Sequence, residues 1–194
     1  MDLAAMLHHN ARVRAAIERI ASANFVTIAV LNGLAMGGGV ELALACDMRI
    51  ARAGIVLGLT EIRIGAFPGG GGTQRLPRIV GVARALQLML LGEPVSSDYA
   101  LQIGLVNEVL HEDELDSRAL ALATLLAGRS ARALAVIKGL VYQGIELPLD
   151  AALRFERAAV PEILGSADYA EGLVAFAEKR PPVFGEPVPE KPWR

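Results

Sequence analysis

The 194-residue chain carries 19 basic and 21 acidic residues, a formal net charge of -2 and 53% hydrophobic residues. That balance gives no basic surface of the kind a nucleic-acid partner requires, and a single cysteine, Cys46, excludes an intrachain disulfide or a cysteine metal cluster. The length fits one domain, or one domain with an appendage, and the lone cysteine is compatible with a reducing compartment such as the cytoplasm.

Residues 2–23 space Leu3, Met6, Leu7, Val13, Ile17 and Ile20 at helical intervals and predict an amphipathic helix. They hold no continuous apolar stretch of the kind a secretory leader carries. Phe25–Leu31 is β-branched and apolar, which suits a buried strand, and Asn32-Gly33 is a turn signal. That turn also breaks the apolar run 25–36, leaving it too short to span a bilayer. A helix over Val40–Cys46 follows the triplet Gly37-Gly38-Gly39, then short strands over Asp47–Ala51 and Ile55–Gly58. Thr73–Val80 and Gly81–Leu91 read as helices broken at Gly81. Val95-Ser96-Ser97-Asp98 supplies capping side chains for a helix Tyr99–Ile103. A strand Leu105–Val109 precedes helices over 113–127, 131–143 with Ser130 as cap, 149–164 and 166–179. The tail from Pro181 holds five of the ten prolines and is expected to run extended. Strands and helices therefore mix over residues 1–128, and residues 129–194 form a helical region.

Two segments carry chemistry. In Gly37-Gly38-Gly39-Val40-Glu41 a helix begins at glycines, where the first N–H groups lack intrahelical partners and can face a developing oxyanion. Glu41 sits in that first turn. By itself the segment favours a carboxylate that complements the helix dipole over a catalytic one. Twenty residues on, Glu61 precedes Pro68-Gly69-Gly70-Gly71-Gly72, a loop whose amides are free for a ligand. Burial of Glu61 in its apolar stretch would raise its pKa toward the range useful for proton transfer; a surface carboxylate at a strand end fits the segment equally well. There is no GxxxxGK[ST], HExxH or GxSxG, and neither glycine cluster makes a convincing dinucleotide fingerprint. His8, His9 and His111 read as surface residues, Cys46 as a small core residue, and no metal site is expected.

The segments NGLAMGGGVELALACDMRIA and GLTEIRIGAFPGGGGTQRLPRIVG, with Gly104-Leu105-Val106-Asn107 and the run Glu171–Arg180, resemble the enoyl-CoA hydratase/isomerase (crotonase) superfamily, most closely its true hydratases. The resemblance runs from Asp2 to about Gly185. It implies an α/β spiral of ββα units with a C-terminal helical trimerisation region, assembled as a homotrimer or dimer of trimers. The implied activity is enoyl-CoA hydration, with an acyl-CoA thioester as substrate and no separate cofactor. By position, Glu41 matches the carboxylate that holds and activates water, and Glu61 the one that delivers a proton to the α-carbon. Gly38 matches one oxyanion N–H donor, Gly69 a glycine beside the water, and Lys179 a residue that reaches the CoA phosphates of a neighbouring subunit. Two carboxylates suit hydration, which needs water activated as well as a proton supplied; the family's isomerases keep the one matching Glu61.

Against that pattern the chain starts late. Met1 falls where the second oxyanion donor is expected, so the resemblance implies a fold lacking its N-terminal strands. The alternatives are double-bond isomerisation, methylglutaconyl-CoA hydration, or a non-catalytic assembly partner. No nucleic-acid or membrane partner is expected.

Overall fold

The computed structural model describes residues 2–187, and the chain divides into two compact units, one of Met1–Ala21 with Thr27–Leu120 and one of Ser22–Val26 with Ala121–Arg194. The division falls inside a helix, so the helical region begins earlier along the chain than its loops suggest.

The first unit opens with α1 (Leu3–Ala21), followed by β1 (Ile28–Leu31), β2 (Ala35–Met36) and α2 (Gly38–Ala45). The pattern repeats as β3 (Met48–Arg52), β4 (Val56–Gly58), a 3-10 turn (Glu61–Ile64) and α3 (Gly72–Val80). Then come α4 (Val82–Leu91), β5 (Val95–Ser96), α5 (Ser97–Gln102), β6 (Glu108–Leu110) and α6 (Glu112–Ala127). Each strand–strand–helix repeat sends its first strand to one sheet and its second to another. The first sheet is ordered β1-β3-β6, all parallel, and the second β2-β4-β5, with β5 antiparallel.

Val40 and Leu44 of α2, Leu57 of β4, Leu76 of α3, Leu88 of α4 and Leu105-Val106 form one buried cluster. Full burial of each such side chain stabilises the fold by about 1.5–3 kcal/mol relative to exposure. The strands β2 and β5 and the 3-10 turn are not legible in the sequence, because two- to four-residue elements show no periodicity. The strand expected over Leu105–Val109 is shorter and later, because Leu105 and Val106 fold back on α5 through hydrogen bonds to Ala100 O.

α1 is a helix as expected, but of its apolar residues only Ile17 is buried; Leu3, Met6 and Leu7 are exposed. A periodic stripe requires a partner surface, and the first unit supplies one for the C-terminal half, where α1 packs on α2.

In the second unit α7 (Ala131–Gly144), α8 (Leu149–Leu164) and α9 (Ala167–Glu178) pack in sequence. Ser130 caps α7 by accepting from Ala133 N (3.2 Å), and Ser166 caps α9 by accepting from Tyr169 N (3.1 Å). The tail through Pro187 has no regular secondary structure and is tied down by carboxylates. Asp168 accepts from Gly185 and Glu186 N, Glu171 from Arg180 and Val183 N, and Glu186 from Arg132 and Ala167 N. Among the described residues no single helix is long and apolar enough to cross a membrane.

Candidate active site

The register of the second sheet decides where the glutamates go. β2 and β4 run parallel with Met36 opposite Gly58, and both end there. Gly37 N donates to Gly58 O (2.8 Å), tying the two strand exits together. Past those exits one chain turns into α2 and the other into the 3-10 turn. Glu41, five residues beyond Met36, and Glu61, three beyond Gly58, thereby arrive at the same end of one sheet, where the carboxyl ends of parallel strands leave a crevice.

Glu41 is buried at 4% exposure. Its Oε1 accepts from Gly70 N (2.7 Å) and Gly72 N (2.8 Å). Gly72 opens α3, so Glu41 satisfies one of the orphan amides of a helix to which it does not belong. A side chain at residue 70 would collide with it: a Cβ there would lie 2.6 Å from Glu41 Oε2. The glycine loop is thus shaped around a carboxylate, and Glu41 does more than complement the dipole of its own helix.

Glu61 meets different surroundings. It opens the 3-10 turn, and a Cβ on Gly37 would lie 3.0 Å from its Oε1. Its Oε2 is buried and makes no hydrogen bond among the described residues. Burial pushes the Glu61 pKa up, partly opposed by a backbone hydrogen bond, and the nearby charge of Glu41 pushes it further up. A raised carboxyl pKa lies nearer the range useful for proton transfer. One carboxylate is therefore held by two amides, while its neighbour keeps a buried, unbonded oxygen and a raised pKa.

Gly38 is the first residue of α2, its amide belongs to the turn without intrahelical acceptors, and a Cβ there would meet nothing within 4 Å. Gly69 lies in the same loop as the two donors to Glu41, beside Asn10 of α1, whose Nδ2 would be 3.5 Å from a Cβ at 69. The donors are Gly70 and Gly72, which sequence reasoning did not single out; within four consecutive glycines nothing marks which amide points where. Lys179 belongs to the other unit. It is exposed, at the C-cap of α9, with φ 55 and its N–H bonded to Ala175 and Phe176 carbonyls. Met1 lies outside the described residues. Among the described residues no group of three or more His, Cys, Asp or Glu side chains is placed to hold a metal ion.

The description "Enoyl-CoA hydratase/isomerase" belongs to the family model that matches residues 4–187. The chain belongs to the enoyl-CoA hydratase/isomerase family. It is 41% identical over 177 residues to rat mitochondrial methylglutaconyl-CoA hydratase, covering 89% of this chain and 56% of the rat protein. It is 44% identical over 169 residues to a probable enoyl-CoA hydratase of Bacillus subtilis, covering 87% and 66%. A crystal structure of an enoyl-CoA hydratase from Bacillus anthracis matches with a TM-score of 0.93 at 38% identity, over 95% of this chain and 71% of that one. The fold is accordingly the crotonase fold, with helices predominating over two small sheets. The chain spans about half to two thirds of the length of the curated relatives it matches.

Proposed function

We propose that this protein is an enoyl-CoA hydratase that adds water syn across the double bond of a 2-trans-enoyl-CoA to give a 3-hydroxyacyl-CoA. The observation that carries the reading is the unequal pair of carboxylates at one sheet end: Glu41 fixed by two amides, Glu61 with one buried oxygen unbonded and its pKa raised by burial. In this reading Glu41 holds a water and accepts its proton as the oxygen adds to the β-carbon. Glu61 gives its proton to the α-carbon, and the Gly38 amide supports the negative charge that develops on the thioester oxygen. Hydroxyl and hydrogen both come to the substrate, so no further reactant is required and no metal or separate cofactor enters.

Gly69 contributes to the loop that lines the water, and Lys179 reaches the CoA phosphates of a neighbouring subunit. The assembly is a homotrimer or dimer of trimers; exposed apolar side chains on α8 and α9, among them Leu149, Leu164, Leu173 and Phe176, support it. The role belongs to cytoplasmic fatty-acid or related acyl-CoA degradation.

The test is incubation with short and longer 2-enoyl-CoA thioesters and with methylglutaconyl-CoA, with mass spectrometry of the products. Gain of one water on a straight-chain substrate is the expected result. Gain of water on methylglutaconyl-CoA alone moves the reading to the reaction named for the rat relative. A shifted double bond with no water gained points to isomerisation. No turnover together with retained oligomerisation points to a non-catalytic assembly partner.

A further inference from the structure

The two amides that hold Glu41 belong to a loop of four glycines, which has no side chains of its own to fix it. A glycine loop samples many backbone states, so something outside it must select the state that aims both N–H groups at one oxygen. The donor peptides are 69–70 and 71–72, and the peptide between them, 70–71, sets their relative orientation.

Arg75 sits at that hinge. Its Nη1 donates to Gly70 O, the carbonyl of the middle peptide, at 3.1 Å. Its backbone N donates to Gly71 O at 2.9 Å, as the first turn of α3 requires. In a trans peptide C=O and N–H point in opposite directions, so holding Gly71 O on the helix side turns the Gly72 N–H away from it, toward Glu41. Gly71 has φ 112, a conformation that L side chains rarely adopt, and a Cβ there would overlap the Arg75 guanidinium. The guanidinium therefore occupies the space a side chain on the loop would take. It replaces that missing side chain with a hydrogen bond that any residue lacking a long donor would forfeit.

We propose that Arg75 is a positioning residue for hydration: it fixes the Gly70–Gly72 loop so that two amides orient the Glu41 carboxylate. The inference rests on the hydratase reading for its kinetic consequences, but its structural content stands apart from activity. Misplacement of a catalytic group by about 1 Å can cost on the order of 10²-fold in rate. Arg75→Ala is expected to lower kcat about 10- to 100-fold with little change in KM, since Arg75 holds a loop and not the substrate. Arg75→Lys, which keeps a donor but not the guanidinium fork, falls between. Added guanidinium restores part of the Arg75→Ala loss and none of the Glu41→Gln loss. In the Glu41→Gln background the Arg75→Ala substitution costs little more, because both act through one group.

The deciding readout needs no turnover. In the amide proton–nitrogen NMR spectrum of the intact protein, the Gly70 and Gly72 resonances should move on Glu41→Gln, and Arg75→Ala should move the same two. Unmoved resonances in Arg75→Ala, or a kinetic loss of full size in the Glu41→Gln background, would overturn the proposal. If Arg75→Ala does not fold, Arg75→Lys carries the same measurements. A wild-type protein without hydratase activity would remove the hydratase reading, and the NMR arm would still decide whether Arg75 holds the loop.

Discussion

Glu41 in the first unit meets glycine amides; Glu171 in the second meets an arginine. Glu41 is held by Gly70 and Gly72 N–H groups and Glu61 keeps one buried oxygen unbonded, whereas Glu171 is paired with both terminal nitrogens of Arg180 (2.6 and 3.0 Å) and also accepts from Val183 N (2.8 Å). Amides orient a carboxylate without supplying a full counter-charge. A bidentate guanidinium supplies both charge and geometry and fixes the ionised form. Glu61, beside Glu41, has its pKa raised, chiefly by burial, and that of Glu171 is lowered to about 2, chiefly by its hydrogen bonds to Arg180. The same residue type thus meets burial and backbone amides at one sheet end and ties down the chain in the other unit.

The largest effects should come from removing the acid–base pair. Glu41→Gln and Glu61→Gln should each lower kcat by about 10²–10⁴-fold while the fold persists, because the amides that bonded Glu41 Oε1 can still bond an amide oxygen. Steady-state hydration of a 2-enoyl-CoA with circular dichroism of each variant checks this, and full activity in either variant would remove that residue from the mechanism.

Gly38→Pro comes next. Proline is tolerated in the first turn of a helix but has no N–H, so the variant deletes the proposed oxyanion donor while α2 can remain. Loss of one such donor costs about 10²–10³-fold in kcat. A variant that keeps wild-type kcat would show that the Gly38 amide does not face the reacting oxygen.

A smaller effect sharpens the contrast between the carboxylates directly. Since Glu41 contributes to the raised pKa of Glu61, Glu41→Gln should move the Glu61 titration to lower pH without abolishing the shift, burial being the larger cause. Carbon-13 NMR of the Glu61 carboxyl across pH reads this, and an unchanged midpoint would mean that the two groups do not sense one another. Glu61 must be protonated to give up a proton, so wild-type hydration should decline as pH rises through the raised value.

The smallest effect belongs to the second unit. A depressed carboxylate pKa contributes stability above the ordinary value of 4.5 and loses it as pH falls toward about 2. The protection of Val183 N, which bonds Glu171, against hydrogen exchange relative to its intrinsic rate at each pH should therefore fall across that window. In Glu171→Gln it should already be low at neutral pH, and protection equal to wild type would show that the tail is held without this carboxylate.

Much of the fold was legible in short signals. Ser96 and Ser130 cap the helices they precede, as a hydroxyl before an apolar-periodic run suggests, and Ser166, read as the first helical residue, is the cap of α9. Helices α7 and α8 follow their periodic stretches closely. The two-residue strands β2 and β5 were not legible, nor was the exposure of Leu3, Met6 and Leu7 on α1. Strands that short have no period, and periodicity marks a face without saying what covers it.

By itself the sequence determined the family, through the long motifs around the two glutamates and the two glycine clusters. It could not say whether Glu41 served its own helix or another, because that depends on the parallel register Met36–Gly58, which brings segments twenty residues apart to one sheet end. Nor could it say which of four adjacent glycines donates, since identical residues differ only in where the backbone points. Those are properties of pairing and of peptide orientation, set by contacts between elements, and only the tertiary structure decided them.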